Sequence, residues 1–283
     1  MNKKKFNCWD SLKQGFENLS EEVEQGKSEK IEELLKTAAR FPRYSLNNQM
    51  LIRAQKPGAI MVQGFKKWSE MGYQVKKGQK AIKILAPTTK KKKIKVEEKN
   101  EKGEKVEKTK EVKKTQFIPV NVFDKSQVKY TGDGQEPVKG FFEALGDDFE
   151  NVYKKFKKQV AESKKTEIIE EELDVMGVSL KGKIKIDASL DFNNKLLTLI
   201  HELAHELLHE ECKEAKQIKE MQAEAVSYVV GQYLGLNNPY SSDYIQCFGN
   251  TVEELKQNLQ IIIKTSREVI EIYEGKEKKE KAA

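Results

Sequence analysis

Residues 201–210 read HELAHELLHE and hold all three histidines of a chain of 283 residues. On a helix, residues four apart stand one above the other, with Cβ atoms about 5–6 Å apart. His201 and His205 can therefore turn ring nitrogens toward one ion. Glu202 lies one residue on, at the edge of that face, where its carboxylate can reach an attacking water without ligating the ion. The apolar run LLTLI before His201 supplies the buried side of the same helix.

This spacing is the HExxH pattern of zinc metallopeptidases, in which two histidines bind the metal and the glutamate is the general base. A third protein ligand is needed. Eight helical residues rise about 12 Å, so one ion cannot bind both His201 and His209 unless the helix breaks between them. Metzincins make that break with a glycine, where this chain has Leu208, and place a third histidine where it has Glu211. His209 is therefore expected in a structural role or beside the ligands. Glu220 and Glu224, again four apart, lie on the following helical segment. If the chain turns back near Cys212 and Lys213, Glu220 stands opposite His205 and Glu224 opposite His201. One carboxylate can then ligate the metal while the other accepts the spare N–H of a ligating histidine and fixes its tautomer.

Composition limits the setting. At 32.5 kDa the chain exceeds the usual size of one domain. Charged residues make up 34%, against roughly 25% on average, so much of the chain must be solvated. The 52 basic residues outnumber the 45 acidic ones to leave +7, which favours an anionic partner. Cys8, Cys212 and Cys247 are odd in number and form no CxxC, so neither a disulfide framework nor a zinc ribbon is indicated, and a reducing cytoplasm is expected. The lysines of MNKKKFNCWD are followed by no apolar core of a signal peptide. No segment approaches 18 consecutive apolar residues, so no membrane partner is expected.

Along the chain, Ile31, Leu34, Leu35 and Ala38 mark an amphipathic helix ending before Pro42, and Ser45 caps a second that stops at KPG. IMVQGF, YQVKKGQKAIKILAP and QFIPVNVFD read as short strands. Residues 88–115 are almost pure Lys, Glu and Val. Such a stretch is either disordered or a protruding two-stranded arm turning near KNEKGEK, and a mobile arm is expected. YTGDGQEPVKG marks a boundary near 134. Beyond it come a helix near 147–163, a strand GKIKIDA, the HExxH helix, the helix carrying Glu220, and a last helix whose TVEE start fits a capping box.

HELAHELLH followed by EMQAEAVS resembles the ImmA/IrrE-like metallopeptidases. That resemblance implies Glu220 as the third zinc ligand, Ala223 as a small packing residue and Glu224 as the acid behind the ligands. In the N-terminal half, YSLNNQ, the QKPGA turn, GFKKW, VKKGQKAIKILAP and PVNVFDKSQ occur in the order found in ArdC-type antirestriction proteins, whose N-terminal domain binds single-stranded DNA. The resemblance implies an α+β fold of two domains. Residues 1–134 are expected to be an α+β single-strand-binding domain with the arm, and 135–274 a mostly helical zincin-like domain with a short sheet. Residues 275–283 are expected to be a solvated tail.

Single-stranded nucleic acid is held by cations that follow phosphates and aromatic faces that stack on bases. The candidates are Arg43, Tyr44, Arg53, Phe65, Lys66, Lys67, Trp68, Tyr73, Lys76, Lys77, Lys80 and Lys83, while Asn47 and Asn48 at a helix start either contact phosphate or satisfy backbone. The resemblance implies a protein of a mobile genetic element that protects entering DNA. For a catalytic site, GKIKIDA is expected to be an edge strand that aligns a peptide, and Tyr240 or Tyr244, by its proximity in sequence, a candidate for stabilising the oxyanion. Two rival readings are a single-strand-binding protein with a purely structural metal, and a protease that cleaves a repressor.

Overall fold

The computed structural model describes residues 6–99, 105–134, 136, 148–209, 213–239, 243 and 245–276. Asn7 opens the first helix by accepting the backbone N–H of Trp9 at 2.9 Å. Helix α1 (Cys8–Glu24) buries Cys8, Leu12, Phe16, Leu19 and Val23 on one face, a helical stripe outside the elements expected above. Helix α2 (Glu29–Arg40) buries Ile31, Leu34, Leu35 and Ala38, as their spacing requires. Ser45 caps α3 (Leu46–Gln55) through the N–H of Asn48.

The strands of the N-terminal half are shorter than their sequences suggest. IMVQGF yields only β1 (Val62–Gln63), because Phe65 already begins α4 (Phe65–Glu70). A two-stranded sheet pairs β2 (Tyr73–Val75) with β5 (Val128–Tyr130), antiparallel. The long exception is β3 (Ile82–Lys99), which pairs antiparallel with β4 (Lys105–Asp124), from Ile82↔Val122 out to Lys99↔Lys105. Of the two forms expected for the Lys/Glu-rich segment, the structure has the two-stranded arm, and its turn lies outside the described residues. A backbone ladder needs no buried side chains. It starts at the buried Ile82, Ile84, Leu85 and Val122 and runs outward through Thr and Lys. At its root, the free edge of β3 is covered by two amides of α3. Asn48 bonds both the N–H and the C=O of Leu85, and Gln55 does the same for Lys83. These contacts stand in for a neighbouring strand and protect the edge.

In the C-terminal half, α5 (Phe149–Lys164) leads to β6 (Glu167–Glu171), β7 (Gly177–Leu180) and β8 (Lys183–Asp187). The sheet order is β6-β8-β7, with β6 parallel and β7 antiparallel to β8. GKIKIDA is therefore the central strand, with Ile184 and Ile186 wholly buried, and not the expected edge; the edge nearest the histidine helix is β7. Both TEIIEE and GVSL lack clear alternation, which hid them.

Asp191 caps α6 (Phe192–Leu208), which ends before His209, and Gly235, at φ 70°, ends α7 (Lys216–Leu234). Thr251 caps α8 (Val252–Tyr273), but Glu254 reaches back to the N–H of Asn250 rather than closing a full box on Thr251.

One hydrophobic core runs through α1, α2 and α3 into α5, α6, α7, α8 and β8, while smaller clusters lie under the β3–β4 root and around Trp68. Polar contacts reinforce the junction: Tyr228 of α7 donates to Glu32 of α2, and Arg267 of α8 donates to the carbonyl of Arg43. Among the described residues no helix is long and apolar enough to cross a membrane.

Candidate metal centre

Helices α6 and α7 run past each other in opposite directions: Ser227 bonds Leu197, Glu224 meets His201, and Glu220 meets both His201 and His205. The Nε2 atoms of His201 and His205 lie 3.1 Å apart, and the Glu220 carboxylate is 3.5 Å and 3.6 Å from them. Ligand atoms at corners of a tetrahedron around zinc, with bonds of about 2.0–2.1 Å, stand about 3.3 Å apart. The three side chains thus form one face of a site that fits a divalent ion.

Hydrogen bonding supports that fit. The backbone carbonyl of Phe248 can only accept, so the Asn258 amide nitrogen donates to it at 3.0 Å and the Asn258 oxygen accepts from Gln222 at 2.8 Å. The Gln222 oxygen is then left to accept from His209 Nε2, at 2.9 Å. His209 Nδ1 consequently carries no proton and accepts from His205 Nδ1, also at 2.9 Å. The proton of neutral His205 sits on Nδ1, and its bare Nε2 faces the cluster. His201 Nδ1 lies 3.4 Å from Glu224, which orients its Nε2 the same way. Two lone pairs and a carboxylate converge on one point, an arrangement that a cation relieves.

Burial opposes charge on both rings. For His201 it is outweighed by the bond to Glu224 and the charges of Glu202, Glu224 and Glu220, which hold its pKa above the ordinary value. For His205, burial and the neighbouring His201 prevail and pull it down to about 4. The carboxyl of Glu202 is buried and raised, chiefly by desolvation, although His201 and the N–H of Ser179 oppose that shift.

Ser179 belongs to β7, which lies against α6 because residue 177 is glycine. A Cβ there would sit 2.5 Å from Thr198 Cγ2 and 3.1 Å from Glu202 Cγ. Glu206 ties the β7–β8 hairpin to α6 by accepting from Ser179 Oγ and the N–H of Gly182. The cluster opens into a cleft of about 880 Å³, lined also by Met176, Asn194, Lys216 and Asn238. Tyr240 and Tyr244, expected near the oxyanion, lie outside the described residues.

The residues expected to contact nucleic acid separate into two groups. Trp68 is wholly buried, donates to the carbonyl of Phe123 at 2.7 Å and packs edge-on to Tyr73; neither ring offers a face to a base. Asn48 has both amide groups engaged on Leu85, and Arg53 is held by the carbonyl of Lys30 and by Glu33. The Tyr44 hydroxyl donates to Val62, while Lys83 is half-buried on the strand that Gln55 covers. The side chains of Trp68, Tyr73, Asn48, Arg53 and Tyr44 are thus engaged within the fold, whereas at Lys83 it is the backbone that Gln55 holds. Asn47 is half-buried on α3. Phe65, Lys66, Lys67, Lys77 and Lys80 are exposed, as are Arg43, which pairs with Glu274, and Lys76, which reaches the carbonyl of Ser126.

Residues 7–123 match the family model described as the N-terminal domain of anti-restriction factor ArdC. The whole chain also has the ArdC fold. It resembles the crystal structure of antirestriction ArdC protein from the R388 plasmid in its metal-free form, with TM-score 0.54 and 15% identity over 94% of this chain and 97% of that one. The Mn(II)-bound structure of the same protein gives TM-score 0.54 and 14% identity over the same shares. An uncharacterized protein of Bacillus anthracis, pXO2-81, is 27% identical over 282 residues, which take in 86% of this chain and 48% of that protein. The chain thus spans about half the length of this curated relative.

The shared core places helices α1–α3 of the N-terminal segment directly against α7 and α8, behind the histidine cluster. Several groups that shape the cluster were not read from the sequence. Gln222 and Asn258 reach it from different helices, and Glu206 and Gly177 act through β7. For Glu206 a signal existed, since it directly follows His205 on the helix that carries the HExxH pattern.

Proposed function

We propose that this chain is an antirestriction protein of a mobile genetic element that binds single-stranded DNA through its ArdC domain and carries a peptidase-type metal centre. The observation that carries the second part is the convergence of His201 Nε2, His205 Nε2 and the Glu220 carboxylate, all within 4.8 Å of one another. Glu224, through His201, and His209, through His205, orient the two rings. Zinc is the default ion for two imidazoles and a carboxylate, and the Mn(II) of the R388 ArdC crystal supports a divalent ion more generally.

A bound divalent ion would supply Lewis acidity to a peptide carbonyl and to water. Glu202 is placed to do the proton work. Its carboxylate is buried at the floor of the cleft, one residue from a ligand and outside the ligand triangle, so it can take a proton from the attacking water and pass it to the leaving amine. The edge strand β7 is the element that can align an extended peptide by adding a strand, the role expected of GKIKIDA. Exposed Val175, Met176 and Leu180 give that edge apolar side chains for the peptide to meet.

The Glu202→Gln variant tests the assignment. It should keep one ion per chain and unchanged single-strand affinity while losing peptide hydrolysis by at least about a hundredfold. Equal hydrolysis by the variant and the parent would overturn the role of Glu202. DNA protection that survives the substitution would belong to DNA binding alone.

A further inference from the structure

We propose that the root of the β3–β4 ribbon is a docking surface for duplex DNA, which it enters along a groove, distinct from any single-strand site on the body of the ArdC domain. The inference deepens the DNA-binding reading above and rests on it for the choice of polyanion.

The distribution of charge is the first observation. Residues 88–115 hold twelve lysines and six glutamates, and so carry +6 of the chain's +7. Most of that excess is at the root, where residues 90–93 and 111–114 contain six lysines and one glutamate.

The register is the second. Lys90 stands opposite Lys114 and Lys91 opposite Lys113. Like charges directly across an antiparallel pair are destabilising, yet Glu111, 3.6 Å from Lys91, is the one acid in this stretch. Cross-strand partners share a face and neighbours alternate. One face therefore bears Lys90, Lys92 and Lys114, the other Lys91, Lys93 and Lys113, and all six are exposed.

Cations on both faces suit a ligand with phosphates on both sides. A single strand offers one line of phosphates. The major groove of B-DNA offers two, on walls about 12 Å apart, and admits a two-stranded ribbon. Single-strand binding also calls for aromatic faces, and residues 88–115 contain no aromatic residue. The nearest one, exposed Phe117, sits at the base of the ribbon. From Thr88 to Lys99 the ribbon extends about 40 Å at ~3.3 Å per residue, somewhat more than the roughly 34 Å of one turn of the duplex.

The test compares the full chain with a variant in which Lys90, Lys91, Lys92, Lys93, Lys113 and Lys114 are all glutamine, by fluorescence anisotropy on a mixed-sequence duplex and on one of its strands, across a salt series. The variant should bind the duplex about tenfold or more weakly near 0.1 M salt, with a log–log salt slope flatter by about 5, from ~0.9 for each phosphate no longer neutralised. Its single-strand affinity should change less than about threefold, because that site lies elsewhere. Glu111→Gln should tighten duplex binding. Unchanged duplex affinity and slope would overturn the proposal, and so would equal losses on both ligands. Failure of the parent reading has a different signature, in which the unaltered chain ignores the single strand while its duplex binding still depends on these lysines.

Discussion

His205 has two ring nitrogens and two claims on them, and the outcome is decided far away, at the carbonyl of Phe248. That carbonyl sets the direction of every hydrogen bond through Asn258, Gln222 and His209, so the proton of His205 is kept away from the cluster. Gln222→Leu removes the middle of this chain while filling similar space. It should weaken divalent-ion affinity by about 10–100-fold, the range for removing the hydrogen-bond partner that orients a ligating histidine, with helicity by circular dichroism unchanged. Equal affinity in a titration would show that the tautomer is set some other way. At this scale the ligand histidines were legible because four-residue spacing on a helix is itself geometry. Gln222 and Asn258 were not, since their partnership depends on how α8 crosses α7, which no local pattern encodes. Trp68 was misread for a related reason: a tryptophan among lysines looks the same whether its ring faces water or, as here, completes a small core.

Elements carry the second set of consequences. Strand β6 is fastened to α5 and α6 by Glu170, which accepts from Lys157 at 2.6 Å and from the mostly buried Lys195 at 2.8 Å. Burial opposes ionisation of Glu170, but the two lysines outweigh it and draw the pKa from 4.5 down to about 2. A carboxyl depressed on folding adds stability that is fully present above its ordinary pKa and disappears as pH falls through the folded value. The melting-temperature advantage of the parent over Glu170→Gln should therefore be constant above about pH 5 and shrink steadily toward pH 2. An advantage independent of pH over that range would mean that charge at Glu170 contributes nothing. Helices α2, α3, α5, α6, α7 and α8 were readable from caps and apolar spacing. The stripe of α1 was as plain as that of α2 and was available to the same reading. The order β6-β8-β7 was not available, because a central strand and an edge strand differ in what pairs beside them, and the neighbours of GKIKIDA show no alternation. The amides Asn48 and Gln55, seven residues apart on one face of α3, did carry a signal, but only a known strand edge gives it meaning.

At the scale of the whole molecule, the sequence reads as two units with a boundary near residue 134, whereas apolar packing runs across that position. Phe16, Leu34, Leu35 and Leu51 share one cluster with Leu203, Val226, Leu259 and Ile270. Elements that share a core unfold together, so calorimetry of the full chain should give one main transition with calorimetric and van't Hoff enthalpies in agreement. Two well-separated transitions would contradict a shared core. The same packing sets the N-terminal helices against the back of the helices that hold His201, His205 and Glu220, which gives the two proposed activities one rigid frame. That account depends most on whether the three convergent side chains hold an ion. Metal analysis of the chain purified without chelators and equilibrated with zinc or manganese, followed by calorimetric titration, measures this directly. One ion per chain is predicted, abolished by His205→Ala and by Glu220→Ala and retained by Glu202→Gln; a folded parent chain that binds no ion, or variants that bind as well as the parent, would contradict it.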